Sequence, residues 1–249
     1  MAKQSSFIKI EGTLGGLTFF KSHDGYLIRN KGGVSKSRIE NDPAFARTRE
    51  NGSEFGHVAT AGKMIRLSMS NMIANAKDGR LTPRLTKVLS KVKNLDGTSP
   101  RGKRQVSIGL ATTEGKELLL GFDLNSRAVL TSILRTPYVL TPATGIITIS
   151  DFIPQQMLLY PNHATHVGFS AAFVIVDMET GKFETSLSNV TNLPIDMAAG
   201  DVVLTPVTVP TLPGIAFHLL LVEFFQEVNG VQYALNSGMF NPLSVVGVF

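Results

Sequence analysis

The spacing of apolar residues changes character three times along this chain. Near the start they fall in short groups between glycines. Phe7, Ile8 and Ile10 precede Gly12, Leu17, Phe19 and Phe20 follow Gly15-Gly16, and Tyr26, Leu27 and Ile28 follow His23-Asp24-Gly25. Glycine reaches positive φ without steric cost, so residues 6–31 read as a small β-meander that ends at Gly32-Gly33. Three short strands with so few apolar groups are marginal alone. Such a meander has to lie on another part of the chain or on a neighbouring molecule.

The period then becomes helical. Asp42-Pro43 offers an N-cap followed by proline at the first helical position. A short helix is expected to run to Asn51-Gly52, with Ser53 capping the next. Phe55, Val58, Gly62, Ile65, Met69, Met72 and Ala76 follow at spacings of three and four, one continuous helical stripe. Residues 77–80 read as a turn. Thr82-Pro83 opens a further helix with Leu85, Val88, Leu89, Val92 and Leu95 on one face. The pair is expected to form an antiparallel helical hairpin. Residues 96–105, DGTSPRGKRQ, have the composition of a linker.

Beyond residue 106 the pattern becomes β. Strands are expected at 118–124, 138–140, 146–149, 167–176, 183–187, 202–209, 216–228, 231–235 and 244–249. Asn229-Gly230 is the strongest hairpin signal, because a type I′ turn needs φ > 0 at both central residues. Seven to nine strands over about 140 residues suit an immunoglobulin-like sandwich. The expected fold is therefore α+β: an N-terminal β-meander and helical hairpin followed by an antiparallel immunoglobulin-like β-sandwich. Its segments would be 1–33 (arm), 34–95 (helices), 96–105 (linker) and 106–249 (sandwich).

Composition changes this picture mainly through charge. The 249 residues are 43% hydrophobic and 17% charged, which excludes a disordered chain. The net charge of +5 hides an asymmetry. Residues 1–104 hold 20 Lys and Arg against 8 Asp and Glu, a net +12; residues 105–249 hold 4 against 11, a net −7. Opposed halves point to a polyanion partner or to a head-to-tail assembly in which unlike halves meet. The basic surface would be Arg66, Arg80, Arg84, Lys87, Arg101, Lys103 and Arg104; the acidic one Asp177, Glu179, Glu184 and Asp196. The absence of cysteine excludes disulfides, thiolate metal sites and a Cys nucleophile.

Signals for catalysis are weak. Thr180-Gly181-Lys182 lacks the upstream glycine and the helix of a phosphate loop. Gly12, Gly15 and Gly16 lack dinucleotide-binding spacing. His163 and His166 are the only clustered histidines, with no third ligand spaced to join them. His218, inside an apolar run, reads as a satisfied interior or interface histidine. Residues 202–222 are uncharged, but Pro206, Pro210 and Pro213 would break a membrane helix, so strands are expected there. Residues 1–30 contain no apolar run of signal-peptide length. The location expected is cytoplasmic or virion-associated.

Two stretches carry a family resemblance: Gly12 to Ser22 (GTLGGLTFFKS) and Asp42 to Phe55 (DPAFARTRENGSEF). They resemble the start of an uncharacterised protein family common in Bacteroidota genomes and their mobile elements. The resemblance covers roughly the first 105 residues and implies no activity, substrate or catalytic residue. The functional expectation is a non-enzymatic, self-assembling structural subunit, phage-related or filament-like, forming a homo-oligomer or polymer. Its assembly arm would be Phe7, Ile8, Ile10, Leu17, Phe19, Phe20, Tyr26 and Ile28. No cofactor, metal or small-molecule substrate is expected. The alternative is a nucleic-acid-associated protein making weak electrostatic contacts through the basic helices and linker. A third reading, a surface or outer-membrane protein, rests on the terminal run Val245 to Phe249, which ends in Phe as outer-membrane barrels often do, and no export signal is seen.

Overall fold

The computed structural model describes residues 2–249; Met1, the first residue of the expected arm, lies outside them. The chain divides into two compact units, one reaching to Asn51 and one spanning Gly52–Phe249.

The first unit holds a four-stranded antiparallel sheet of β1 (Ala2–Lys3), β2 (Gly12–Leu14), β3 (Leu17–Ser22) and β4 (Gly25–Asn30), in the order β1-β4-β3-β2. Gly15 and Gly16 sit at φ 54° and 82°, the left-handed pair that a type I′ hairpin requires. That turn sets Leu14 opposite Leu17. It also corrects the strand expected on Phe7, Ile8 and Ile10. Those residues lie in a loop, where the Gln4 side chain both accepts from Ile10 N (2.9 Å) and donates to Ile10 O (3.1 Å). After the sheet come α1 (Lys36–Asn41), capped by Ser35, and a 3-10 turn (Pro43–Phe45). Asp42 caps that turn through a 2.9 Å bond from Ala44 N.

Helix α2 (Ala46–Ser68) is continuous through Gly52, so the break expected at Asn51-Gly52 does not occur. A glycine inside a helix costs about 1 kcal/mol relative to alanine. The apolar stripe that follows, with Val58, Ala61, Gly62 and Ile65 buried, outweighs that cost. Phe55 departs from the expected stripe: it is exposed, and its neighbour Glu54 is buried instead.

In the second unit α3 (Ser70–Ile73), α4 (Leu81–Lys93), α5 (Val106–Leu110), α6 (Thr113–Glu117) and α7 (Leu130–Ile133) precede the sheets. There follow β5 (Val139–Thr141), β6 (Ile146–Phe152), the helical turn α8 (Pro154–Met157), β7 (His166–Asp177), β8 (Lys182–Leu187), β9 (Thr191–Pro194), β10 (Gly200–Leu204), β11 (Ile215–Val228), β12 (Val231–Ala234) and β13 (Leu243–Val248). β7 and β11 pair antiparallel from Ile215↔Val176 to Phe225↔His166. Each of these long strands takes two partners in succession. β8 and β9 flank β7, while β13 and β12 flank β11. A separate sheet has the order β10-β6-β5.

Two cores lie on opposite faces of the β7–β11 pair. On one face Val174, Val176, Leu219, Leu221 and Val245 meet Val58, Ile65, Leu85, Leu89 and Leu110 from the helices. On the other, Phe169, Leu220, Val222 and Phe224 meet Ile147, Ile149, Phe152, Val202 and Leu204 of the smaller sheet. The expected α+β class with antiparallel sheets is what the chain adopts. The arrangement differs from two sheets alone, because a helical layer covers the second face of the larger one. β7 and β11 are apolar on both faces, and one partner sheet can cover only one of them.

Residues 118–124 are not the expected strand. The chain there leaves α6, which Thr112 caps through Gly115 N at 3.0 Å. Leu119 and Leu124 point into the helix-side core while Leu118 and Leu120 face solvent. Gly121 N and Leu124 N still bond the outer edge of β13, at Val245 O (2.8 Å) and Leu243 O (2.7 Å). Asn229 and Gly230, at φ 52° and 77°, form the expected type I′ hairpin. Among the described residues no helix is long and apolar enough to cross a membrane, and residues 202–222 divide between β10, a loop and β11.

Two glycines test this packing with opposite signs. A Cβ on Gly109 would lie 2.1 Å from Val92 O, so Gly109→Ala should destabilise the protein by about 1–3 kcal/mol. A Cβ on Gly52 would meet nothing within 4 Å, so Gly52→Ala should stabilise it by about 1 kcal/mol. Urea unfolding of the two variants measures both; equal shifts of one sign would contradict this packing.

Candidate functional site

The residues singled out in the sequence fall into three sets. In the first unit, cross-strand neighbours share a face of the sheet. Register places Leu14, Leu17, Phe19, Tyr26 and Ile28 on one face and Phe20, Leu27 and Arg29 on the other. The Arg29 guanidinium lies 5.3 Å from the Phe20 ring centroid. Leu27 is the only buried residue among those described in this unit. Phe7 is 94% exposed and Leu14 70%; Ile8, Ile10 and Leu17 are also exposed, while Phe19, Phe20, Tyr26 and Ile28 are half-buried. β2 ends the sheet, and among the described residues no strand pairs with its outer edge.

The basic set does not form one free surface. Arg84 is committed inside the fold. It pairs with Asp78 (2.8 Å), donates to Asp123 O (2.8 Å) and Leu124 O (3.0 Å), and lies over the Phe122 ring. Arg104 is half-buried beside Glu54. Arg66 is half-buried on α2, next to Gly62. Arg80, Lys87, Arg101 and Lys103 are exposed.

The last two belong to the loop of residues 96–105, which is a bonded structure. Asp96 is buried and accepts from Thr98 N, Thr98 Oγ1, Ser99 N and Gln105 N, all within 3.0 Å. Burial alone would raise its pKa, but these bonds outweigh it and hold the carboxyl well below the usual range. Glu54, buried on α2, pairs with Lys93 of α4 and accepts from Gly102 N at 2.9 Å. The Lys93 bond is the main cause that lowers the Glu54 pKa. Two buried carboxylates thus hold a loop that carries Arg101 and Lys103. Sequence patterning singles out neither of them. For Glu54 the available signal is an acidic residue one place off an apolar stripe.

The acidic set is dispersed. Asp177 caps the β7–β8 turn, accepting from Thr180 Oγ1 and Thr180 N, which lower its pKa. Glu184 accepts from Thr211 N and Leu212 N, and Asp196 from Ala198 N. Glu179 is exposed.

The histidines separate. His163 stands at φ 71° in a turn, while His166 opens β7 with its Nε2 3.5 Å from Glu227. Among the described residues no three His, Asp or Glu side chains gather as a metal site would need. His218 is fully buried between Phe173 (4.3 Å) and Phe249 (5.5 Å), and neither ring nitrogen has a hydrogen-bond partner. It is therefore not the satisfied histidine expected. Burial lowers its pKa to about 4. Asp123 and Glu223 are pushed up, in both cases mainly by burial. Asp78, where hydrogen bonds from Arg80, Ser126 and Arg84 overcome the opposing effect of burial, is held down to about 2.

No protein family, curated protein or solved structure matches this chain.

The buried groups make stability depend on pH. Above pH 6.5 the His218 ring is neutral in both folded and unfolded states. As pH falls toward 4, only the unfolded chain gains the proton, so stability should fall by roughly 3 kcal/mol. Asp78 adds a separate loss as pH drops from near 4 through about 2. Urea unfolding at pH 7, 5.5 and 4.5 should show the first loss in the native protein and not in His218→Leu; equal slopes would refute it. Glu54→Gln leaves the Lys93 charge unopposed near the helix contact, and should cost about 3 kcal/mol. Trypsin cleavage after Arg101 or Lys103 should accelerate in the same variant; an unchanged rate would mean the loop does not depend on Glu54.

Proposed function

We propose that this chain is a non-enzymatic structural subunit, phage-related or filament-like, that assembles with copies of itself through its N-terminal sheet. The observation that carries this reading is the state of that sheet's apolar face. Leu14, Leu17, Phe19, Tyr26 and Ile28 share one face with Lys21 and Asn30, and Phe7 stands almost wholly in solvent nearby in sequence. A sheet with a single buried side chain gains little from its own packing. An open edge strand is a template for pairing, and strand addition is a common mode of assembly. The second unit, two facing sheets with a helical layer on the larger one, would then be what the arm carries.

Charge has a narrower part in this reading than the net values imply. With Arg84 committed internally, Arg80 and Lys87 are the exposed cations of the helical set, and Glu179 and Asp196 are the exposed carboxylates of the acidic one. Attraction between exposed groups is screened beyond about 10 Å at 0.1 M salt. It would act on encounter rate, while apolar contacts hold the assembly.

A second reading, nucleic-acid contact, has one specific support: the loop held by Asp96 and Glu54 carries Arg101 and Lys103 at its surface.

The test of the first reading is the size of the protein in solution. Leu14 and Leu17 are exposed, so Leu14→Asp with Leu17→Asp should leave the fold intact and convert assemblies to small species by sedimentation. Assembly followed by light scattering should slow at high salt while formed assemblies persist. A native protein that stays monomeric at high micromolar concentration would end this reading. For the second, changing Arg101 and Lys103 to Ala should reduce the log–log salt slope of DNA binding by about 0.9 for each phosphate interaction removed. No retention of DNA or RNA at low salt would exclude it.

A further inference from the structure

The second unit contains a cavity of about 720 Å³ lined by residues 127–129, 132–133 and 159–163, by Phe224 of β11 and by Phe240. That volume lies within the range of roughly 300–1,000 Å³ usual for small-molecule sites. Its floor is apolar: Phe224 is fully buried and Ile133 nearly so. Phe240, which also lines it, is exposed, and Tyr160 is half-buried. The cavity is open, and its rim is polar.

Two rim groups carry the argument. The backbone of Arg127 is anchored by a 3.1 Å bond from its N–H to Asn125 Oδ1, and Asn125 is itself buried and bonded to Met239 O and Asn241 O at 3.0 Å. The Arg127 side chain is exposed and makes no ion pair or hydrogen bond to any described residue, and no carboxylate lines the cavity among those residues. A single unopposed guanidinium over an apolar floor favours one negative charge with an apolar body. The other group is His163. It sits third in the turn closed by Ala164 N→Pro161 O (3.1 Å), at φ 71°, a backbone region where glycine is the usual residue. A non-glycine residue held there keeps its imidazole at the rim at a cost in backbone strain.

We propose that this cavity binds an amphipathic monoanion, a carboxylate on an aliphatic or aromatic body. Arg127 is the counter-ion, His163 a second polar contact, and Phe224, Ile133 and Phe240 enclose the body. A phosphate dianion would need more donors than one guanidinium supplies, and a hydrated polyanion would gain nothing from the floor. The proposal does not rest on self-assembly, and its test reads a different quantity.

The probes are decanoate, with decanol and decylamine as uncharged and cationic controls, titrated calorimetrically into the full chain. Decanoate should bind saturably at one site per chain, about tenfold more tightly than decanol, and decylamine weakest. Arg127→Gln should lose that tenfold preference and keep decanol binding. His163→Gly should weaken decanoate while thermal stability holds or rises, since glycine relieves the positive φ. Ser132→Phe, at an exposed lining position, should block all three probes with the melting temperature unchanged. No saturable binding, equal affinity for decanoate and decanol, or a preference that survives Arg127→Gln would each overturn the proposal.

Discussion

The structure of the second unit depends on one constraint: β7 and β11 are apolar on both faces. From Val167 to Val176 every residue of β7 is buried, and β11 is buried from Phe217 to Val222. Such a pair cannot face water on either side. The helical stripe of α2 and α4 covers one face and the β10-β6-β5 sheet the other. Even the edges of the larger sheet are occupied in part. Residues 121–124 bond to β13, and the chain beyond Pro206 bonds to β8 through Val207 N→Leu187 O at 3.0 Å and through Glu184 and Ser186. The contrast with the first unit is physical. In the first unit Leu14 and Leu17 are exposed, and among the described residues β2 has no partner on its outer edge.

Polar groups inside the second unit follow the same logic, with exceptions at Arg84 Nε, Arg104 Nε and His218. Asn241 accepts from Phe224 N and donates to Asn75 O, and Asn125 donates to carbonyls of Gly238, Met239 and Asn241, just before β13. Those buried amides join the helices, the loop and the central strand at little net cost, because their bonds are made. His218 breaks the pattern. Its neighbours across the ladder are Phe173 and Gly247, and neither offers a side-chain partner. A neutral imidazole with both nitrogens unpaired gives up hydration and gains no bond in its place. It makes the centre of the sheet one place where acid acts on the protein, Asp78 being another.

Period and turn chemistry are readable in the residues; partnership is not. Gly15-Gly16 and Asn229-Gly230 announce their hairpins because a type I′ turn needs φ > 0 twice, a requirement local to two residues. β7 and β11 are legible as long apolar runs. What a run alone leaves open is the number of layers it demands, so the helices read as a separate hairpin while they cover the sheet's second face. Leu118 to Leu124 resemble a strand by composition, yet Thr112 has already started a helical turn upstream. The 96–105 loop resembles a linker because its polar residues are visible in the sequence and their bonds are not. Asp96 and Glu54 organise it through partners as much as 48 residues away. The candidate site suffers similarly. Arg84 counts as a cation in the sequence, but in the fold its charge is absorbed by Asp78 and two carbonyls.

Net charge by halves therefore overstates what a partner would feel. Asp177, Glu184 and Asp196 are each oriented by the turn or loop they bond. Arg84 and Arg104 are withdrawn from the surface set. What remains outward is sparse and spread across separate elements, enough to bias an encounter and too little to define an interface. Apolar surface weighs more. The sheet of the first unit exposes Leu14 and Leu17 beside half-buried Phe19, Tyr26 and Ile28 on one face, and burying such area is worth about 25 cal/mol per Å² before the costs of association. Its open edge adds direction, since backbone pairing fixes register where a bare apolar face would not. On the proposed reading, the exposed face and outer edge of the N-terminal sheet are where copies of the chain would meet.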